Sequence, residues 1–196
     1  MACLGSIDDL GKRLWFEAVR GGVTTTKQVV FISDDARSFW RIFETYFAHV
    51  AIGILDFYHA AQNLFKAVTT WLDGRTKKAH GWFAATRHQL RHGPTMGVRM
   101  DIEQALSDPQ LSDTSRKVVE NFLNYLDTHH AHIQYHHFKA IGLPIGSGMV
   151  ESAWKWLIIQ RFKGVGMRWS FDGFNALLHL RLAWVNNRFD DLFSAR

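Results

Sequence analysis

The chain has 196 residues, of which 47% are hydrophobic and 21% charged, a composition that supports a buried core and excludes wholesale disorder. Its single cysteine, Cys3, excludes an intrachain disulfide framework and a zinc site built on several cysteines. The formal charge of +5 is compatible with a nucleic-acid partner, although many proteins without such a partner are equally basic. No stretch has the apolar length of a membrane span and the first residues do not resemble a secretory signal, so we expect a cytoplasmic protein with no membrane partner.

The first third of the chain predicts a βαβ unit. Apolar residues at helical spacing predict a helix over residues 8–20. Two short β-branched runs, residues 28–33 and 51–56, predict buried strands, and residues 36–47 between them have a helical pattern. The strands should therefore be parallel and joined by a right-handed crossover.

An acid closes each predicted strand. Asp34 follows the first run directly, and Asp56 is the last residue of the second. Ligands of open α/β sheets bind beyond the carboxyl ends of the strands, so these two acids lie where a site is expected. Acids at such positions also serve as caps for the helix that follows, and spacing alone does not separate the two roles.

The rest of the chain predicts helices. They share apolar periodicity and are bounded by glycine, proline or aspartate, and they cover residues 57–72, 79–93, 101–108 and 115–138. Residues 142–148, GLPIGSG, predict a loop. A helix over about 149–162, a turn at KGVG and a final helix over about 171–186 follow.

Glu151 stands at the start of a segment that is otherwise rich in cations and tryptophan. With Gly148 as the N-cap, Glu151 would occupy the third helical position, where a carboxylate interacts favourably with the helix dipole, and it could also pair with Lys155. The other interpretation makes it a metal ligand. Mg²⁺ requires converging carboxylates, and Asp34, Asp56 and Glu151 are the candidates, on three different elements.

Three motifs occur in an order that resembles a known family. They are VVFISDDARSFW, ILDFYHAAQNL and the long segment over residues 138–193, which includes IGSGMVESAWKW. This pattern resembles the catalytic half of insertion-sequence transposases of the ISKra group. These belong to the Mutator-like transposases, which have an RNase H-like domain and an Asp-Asp-Glu active site. The last motif is long and specific, and the resemblance covers nearly the whole chain.

The resemblance implies an α/β fold in three parts. Residues 1–59 would form an RNase H-like core that is incomplete because its first strands are missing, residues 60–140 a large all-helical insertion, and residues 141–196 the C-terminal helices that complete the catalytic domain. The implied activity is metal-dependent DNA cleavage and strand transfer with Mg²⁺ or Mn²⁺. Transposon ends and target DNA would be the partners, with a homo-oligomer in the transposition complex, in the bacterial cytoplasm at the nucleoid.

By position, the family's acid after the fourth core strand corresponds to Asp34 and its final glutamate to Glu151. Its Cys/Asp-x-x-His motif falls on Asp56 and His59. Nothing before the first predicted strand resembles the strand that supplies the first catalytic acid, so two versions remain open: a triad of Asp34, Asp56 and Glu151, or Asp34 and Glu151 as two members of a triad whose first acid is absent. The family usually has glycine where this chain has Asp35, which makes Asp35 an alternative to Asp34.

The residues after Glu151 are candidates for DNA contact: Lys155, Arg161, Lys163, Arg168 and Trp169. The alternative function is an inactive transposase remnant that binds DNA or a full-length transposase. A third hypothesis is a histidine-rich metal-binding protein, since His132 and His136 have the i, i+4 spacing of a zinc pair on a helix. His59 would orient Asp56, contact a phosphate, or be a core histidine.

Overall fold

Two short strands pair in parallel in the computed structural model, which describes residues 6–193. They are Val30–Ser33 (β1) and Ile52–Leu55 (β2), and between them lies the helix Arg37–Ile42 (α2), which continues as a π-helical turn over Phe43–Phe47. The register sets Val30 opposite Ile52 and Ser33 opposite Leu55. The predicted strand, helix, strand order with parallel strands is confirmed, although each strand is shorter than its apolar run.

The contacts divide the chain into two compact units. One comprises Gly22–Gly146, and the other comprises the described residues up to Gly21 together with the described residues from Ser147 onward. Residues 22–146 therefore include both strands and the helical region that follows them. The first helix, predicted over 8–20, belongs to the same unit as the C-terminal helices.

The unit of residues 22–146 is mostly helical. After β2 its α-helices are Phe57–Trp71 (α3), Lys77–His92 (α4), Thr95–Leu106 (α5), Asp113–Thr128 (α6) and Tyr135–Ala140 (α7). Helix α3 packs against both α4 and α6. The side chains of Ile54, Leu55, Phe57 and Leu64 are fully buried. Each such burial stabilises the folded chain by about 1.5–3 kcal/mol, so the core of this unit includes the end of β2 and the start of α3.

The helix predicted over 115–138 is not continuous, and that prediction was wrong. Helix α6 ends at Thr128, a 3₁₀ turn covers His130–His132, and α7 begins at Tyr135. The chain turns because His132 has its Nδ1 2.9 Å from the carbonyl oxygen of Gly53 and its ring centroid 4.3 Å from that of Trp40. Tyr135 also donates its hydroxyl proton to the carbonyl of Leu55 at 2.9 Å. These contacts hold residues 132–135 against β2, which a straight helix could not do.

Helix α5 begins at Thr95, six residues before the predicted start at 101. Pro94 is its N-cap in an extended conformation, with φ −66° and ψ 140°. Proline has no N–H to leave unsatisfied at a helix start, so it suits this position. The Thr-Met-Gly-Val stretch that follows has weak helical periodicity, and the tertiary contacts of α5 with α4 and α6 decide its conformation.

The other unit is helical throughout its regular structure. Its elements are Ile7–Arg20 (α1), Gly148–Trp154 (α8), a π-helical turn Lys155–Ile159, Gln160–Phe162 (α9), Phe171–Val185 (α10) and a 3₁₀ turn Asp190–Leu192. Ser6 and Asp9 form a capping box at the start of α1. The buried centre consists of Ile158, Phe162 and Leu178. Between residues 6 and 193, no helix combines the length and the apolar character that crossing a bilayer requires.

Two glycines of the larger unit should respond oppositely to substitution by alanine. A β-carbon on Gly53 would lie 2.7 Å from Cζ of Phe43 and 3.1 Å from Nδ1 of His132, whereas one on Gly81 would meet nothing within 4 Å. We expect Gly53→Ala to lower the free energy of unfolding by about 1–3 kcal/mol through overpacking. Gly81→Ala, inside α4, should raise it by about 0.5–1 kcal/mol because alanine is the better helix former.

Urea denaturation of the two variants beside the wild-type chain checks both signs. A Gly53→Ala variant as stable as wild type would show that Phe43 and His132 do not close on β2 as described.

Candidate functional site at the strand ends

The parallel register brings two of the predicted acids side by side. Because Ser33 lies opposite Leu55, the next residues along each strand are Asp34 and Asp56. The Asp56 N–H donates to the Ser33 carbonyl at 2.7 Å, which extends the ladder to the acids. Neighbouring strands lie about 4.8 Å apart, so the two carboxylates start from adjacent points of the backbone.

Asp56 is buried, with 4% of its surface exposed, and it is the N-cap of α3. Its Oδ1 accepts the N–H groups of Tyr58 at 2.7 Å and His59 at 3.0 Å. Such a cap typically stabilises a helix by about 0.5–2 kcal/mol. Its Oδ2 faces Gly146, where a β-carbon would lie 3.7 Å from that oxygen and 3.0 Å from the ring of Tyr58. The glycine of the predicted loop thus leaves room beside the carboxylate.

Asp34 is exposed at the end of β1. Its Oδ1 accepts the N–H of Ala36 at 3.1 Å, which forms a turn before α2. Its carbonyl oxygen accepts the indole N–H of Trp40 at 2.7 Å. The backbone at Asp34 is therefore anchored by the buried Trp40, while the carboxylate reaches solvent and can meet a ligand without unfolding the strand.

His59 pairs through its imidazole with Asp35, a partner that the three roles considered from the sequence did not include. Nε2 of His59 lies 2.8 Å from Oδ1 of Asp35, and Nδ2 of Asn63 lies 3.5 Å from the other oxygen. His59 meets the Asp56 carboxylate through its backbone N–H. His59 and Asn63 lie one turn apart on α3, so both side chains are on the helix face that contacts Asp35. Sequence spacing does not show which way that face points.

Tyr125 of α6 and His129, the residue directly after that helix, complete this cluster. They lie four residues apart, with ring centroids 4.8 Å from each other. Burial raises the pKa of the Tyr125 hydroxyl well above its usual range, and the charges of Asp35, Asp56 and Asp34 act in the same direction, against a contact with Asn63. The tyrosine is therefore neutral, and within residues 6–193 no group meets its buried hydroxyl with full hydrogen-bond geometry. Sequence analysis missed it, and only its i, i+4 relation to His129 could have drawn attention to it.

The pKa of His129 is lowered, chiefly by burial. The neighbouring His132 and His59 lower it further, while Asp35 acts in the opposite direction. His129 is thus favoured in its neutral form, in which one ring nitrogen can accept a proton. Tyr125 and His129 are thus two neutral polar side chains close enough to the acids to feel their charge.

Glu151 belongs to the other compact unit, together with the predicted DNA-binding residues. Helix α8 begins at Gly148 with Ser147 as its N-cap, so Glu151 occupies the fourth helical position and the prediction of Gly148 as cap was wrong by one residue. Its side chain is exposed, and among residues 6–193 no ion pair joins it to Lys155. The helix becomes π-helical at Lys155, which changes the i, i+4 geometry on which such a pair depends.

The four predicted cations after Glu151 are all exposed: Lys155, Arg161, Lys163 and Arg168. Trp169 is anchored, because its indole N–H donates to the Phe162 carbonyl at 3.2 Å and its ring packs on that of Phe162 at 5.3 Å. With 42% of its surface exposed, it still presents part of the ring to solvent. It is the one predicted DNA-contact residue whose position is fixed by the buried centre of its unit.

Arg181, by contrast, supports the backbone. It donates to the carbonyls of Trp156 and Leu157, each at 3.2 Å, and its guanidinium lies 5.3 Å from the centroid of the Trp156 ring. These carbonyls belong to the π-helical turn, where the usual i to i+4 hydrogen bonds are rearranged. The guanidinium group of Arg181 therefore binds backbone and ring atoms of its own unit.

Comparisons with known protein families, with curated proteins and with solved structures find no match to this chain.

The carboxylate oxygens at the strand ends are the type of ligand atom that hard divalent cations bind. Asp34 and Asp56 offer carboxylate oxygens from adjacent strands, the ligands that Mg²⁺ and Mn²⁺ prefer. Across residues 6–193, no group of three or more histidine, cysteine, aspartate or glutamate side chains is arranged to hold a metal. The predicted zinc pair is not formed on one helix, because His132 lies in the 3₁₀ turn and His136 in α7. The strand-end pair therefore needs a further ligand.

Substitution of Asp56 separates its capping role from a ligand role. Asparagine caps a helix about as well as aspartate, so the free energy of unfolding of Asp56→Asn should lie within about 0.5 kcal/mol of the wild-type value. Asp56→Ala should lower that free energy by about 1 kcal/mol. If Asp56 binds metal, Asp56→Asn should also weaken Mn²⁺ binding at least tenfold, measured by isothermal titration calorimetry. Wild-type Mn²⁺ affinity in Asp56→Asn would leave this residue a helix cap alone.

Proposed function

We propose that the chain is a DDE-type DNA transposase that cleaves and joins DNA strands with Mg²⁺ or Mn²⁺ when an insertion sequence moves. The observation that supports this most is the parallel register that makes Asp34 and Asp56 neighbours at the carboxyl ends of their strands. This is where acids of an RNase H-like core would lie, and the two strands with α2 between them are proposed as part of such a core. The three sequence motifs occur in the order expected of the ISKra-group resemblance.

In this proposal Asp34, Asp56 and Glu151 hold the divalent ions. Asp34 is exposed and available to a ligand, and Asp56 keeps the cap of α3 through Oδ1 while its Oδ2 lies on the side of Gly146. When bound, the ions would supply the Lewis acidity that activates water for phosphodiester hydrolysis and then the freed 3′-hydroxyl for attack on target DNA. Asp35 would act through His59, holding the imidazole in place beside the reacting strand.

The exposed cations of the other unit would bind the DNA backbone. Four cations follow Glu151 within 17 residues, and all four side chains reach solvent: Lys155, Arg161, Lys163 and Arg168. Phosphate contacts of this kind provide most of the affinity for DNA and fix its register. Trp169 would stack on an unpaired base near the cleaved end. Transposon ends and target DNA are the partners, in a homo-oligomeric complex at the bacterial nucleoid.

The burial and hydrogen bonds of Asp56 favour a second function. In this alternative the chain binds DNA or a full-length transposase and does not cleave DNA. Asp56 is buried and its Oδ1 already accepts two backbone N–H groups, so its carboxylate is well satisfied without a metal. The strand-end acids would then be structural. Only an activity measurement separates the two functions.

The decisive variant is Glu151→Gln, tested for cleavage and strand joining on a nicked or branched DNA with Mn²⁺. The amide keeps the size of the side chain but removes the charge that holds the ion, so we expect activity to fall by about a hundredfold or more while DNA binding is retained. Glu120→Gln is the matched control, because Glu120 is an exposed acid of α6. DNA binding without cleavage by the wild-type chain would favour the second function.

The double variant Arg161→Ala with Lys163→Ala should weaken DNA binding and make it less dependent on salt. Each lost phosphate contact lowers the slope of log affinity against log salt by about 0.9, so we expect a decrease of about 1.8. Fluorescence anisotropy over a salt series measures it. Lys12→Ala with Arg13→Ala removes the same charge from exposed positions of α1 and should leave the slope unchanged. Equal slopes in both double variants would exclude Arg161 and Lys163 from the interface.

A further inference from the structure

The helical region after β2 contains a long stretch without acids. Residues 74–100 include no aspartate or glutamate, and the same is true of residues 57–72 and 128–150. These stretches supply the whole of α3, α4 and α7, and α4 packs against both of the others. The cations of α4 and α7 therefore lie on a surface with no acid of their own helices to neutralise them.

Four of these side chains form what we call the α4–α7 face: Arg87, Arg91, His92 and Lys139. The guanidinium groups of Arg87 and Arg91 lie 5.3 and 5.4 Å from the centroid of the same ring, that of Phe57. Nζ of Lys139 lies 3.1 Å from Nδ1 of His92. The face thus concentrates two guanidinium groups and an ammonium group at the contact of α4 with α7.

This concentration of charge has no compensating carboxylate. Among residues 6–193, no acid forms an ion pair with Arg87, Arg91 or Lys139. Three acids of the neighbouring elements pair with other cations: Asp73 with Arg75, and Glu103 and Asp127 both with Arg99. Within the described residues 6–193, Nε of Arg91 is buried and has no hydrogen-bond partner. A buried donor on a cation costs free energy unless an acceptor meets it.

The electrostatics of His92 agree with this arrangement. Burial lowers the pKa of His92, and the charges of Lys139, His88 and Arg91 lower it further. A neutral His92 accepts a hydrogen bond from Lys139, which fixes the ammonium group beside α4. The cations are therefore held in place on helices and on an aromatic ring, which reduces the entropy that a ligand must remove on binding.

We propose that the α4–α7 face binds the phosphodiester backbone of DNA, as a second contact separate from the cations that follow Glu151. Guanidinium groups match phosphate oxygens in a two-pronged geometry, and the paired arginines suit adjacent phosphates of one strand. Phe57, whose buried ring the two guanidinium groups cover, is the residue directly after Asp56 in the chain. The proposal rests on the proposed function, since it assigns DNA as the partner, and it adds which part of the helical region contacts DNA.

The test uses the full chain and a duplex DNA labelled for fluorescence anisotropy, between about 50 and 200 mM salt. Arg87→Gln with Arg91→Gln removes two charges but keeps side chains long enough to cover Phe57. We expect the salt slope to decrease by about 1.8 and the affinity at the lower salt to fall about tenfold or more. Lys12→Gln with Arg13→Gln, the same loss of charge on α1, should leave the slope unchanged.

A second variant guards against a loss of folding. Lys139→Glu leaves both arginines on Phe57 and reverses one charge, so it should weaken binding and lower the slope by about one if the face contacts phosphate. Thermal unfolding by circular dichroism confirms that each variant is folded. Wild-type slopes in both the arginine pair and Lys139→Glu would overturn the inference.

The outcomes also distinguish this inference from the proposed function. If the face variants bind DNA as wild type does and Glu151→Gln still abolishes cleavage, the face is excluded while the transposase proposal stands. If the wild-type chain neither binds nor cleaves DNA, both fall. Binding to vesicles that contain phosphatidylserine, lost on Arg87→Gln with Arg91→Gln while DNA binding is unchanged, would replace DNA by an anionic lipid surface as the partner.

Discussion

The position of β2 governs the whole candidate site, and side chains far along the chain fix it. Tyr135 donates to the carbonyl of Leu55, and His132 contacts that of Gly53. Both carbonyls lie on buried residues of the strand, where an unsatisfied group would cost about 1–3 kcal/mol. Because β2 sets the register of β1, these two side chains determine where Asp56 and, across the ladder, Asp34 are placed.

The three aspartates at the strand ends are each stabilised in a different way. Asp34 reaches solvent, Asp35 pairs with His59, and Asp56 caps the N-terminus of α3. Three carboxylates close together would repel one another if all were buried and bare. The separate partners explain how the chain keeps them at one edge of a small sheet. They also leave Asp34 as the acid with the most direct access to a ligand.

Several features could be predicted from the sequence because local patterns determine them. The two strands follow from β-branched runs closed by acids, and their parallel pairing follows from the helix between them. The place of Asp34 and Asp56 beyond those strands needed no more than chain order. The helix over 8–20 was predicted nearly to its ends, since Ser6 and a glycine pair mark its boundaries.

Other features depend on contacts between distant residues. The apolar period of α6 continues past Thr128, so nothing local shows that His129 ends the helix; the contact of His132 with Gly53 decides it. The pairing of His59 with Asp35 instead of Asp56 depends on which way one imidazole points. The π-helical turns at 43–47 and 155–159 have no recognised sequence signal. Each of these misses falls where tertiary packing overrides a local preference.

The π-helical turn over Lys155–Ile159 accommodates one extra residue between Glu151 and Phe162. A π turn contains one more residue than the α-helix would need, and each α-helical residue turns the chain by about 100°. Phe162, on the far side of the turn, is buried in the centre of its unit. Loss of a single residue within the turn would restore a regular helix and leave the direction of Glu151 relative to Phe162 nearly unchanged, whereas the same loss from a regular α-helix would rotate Glu151 by about 100°. The turn therefore lets the segment between Glu151 and Phe162 vary in length by one residue while the acid keeps its direction.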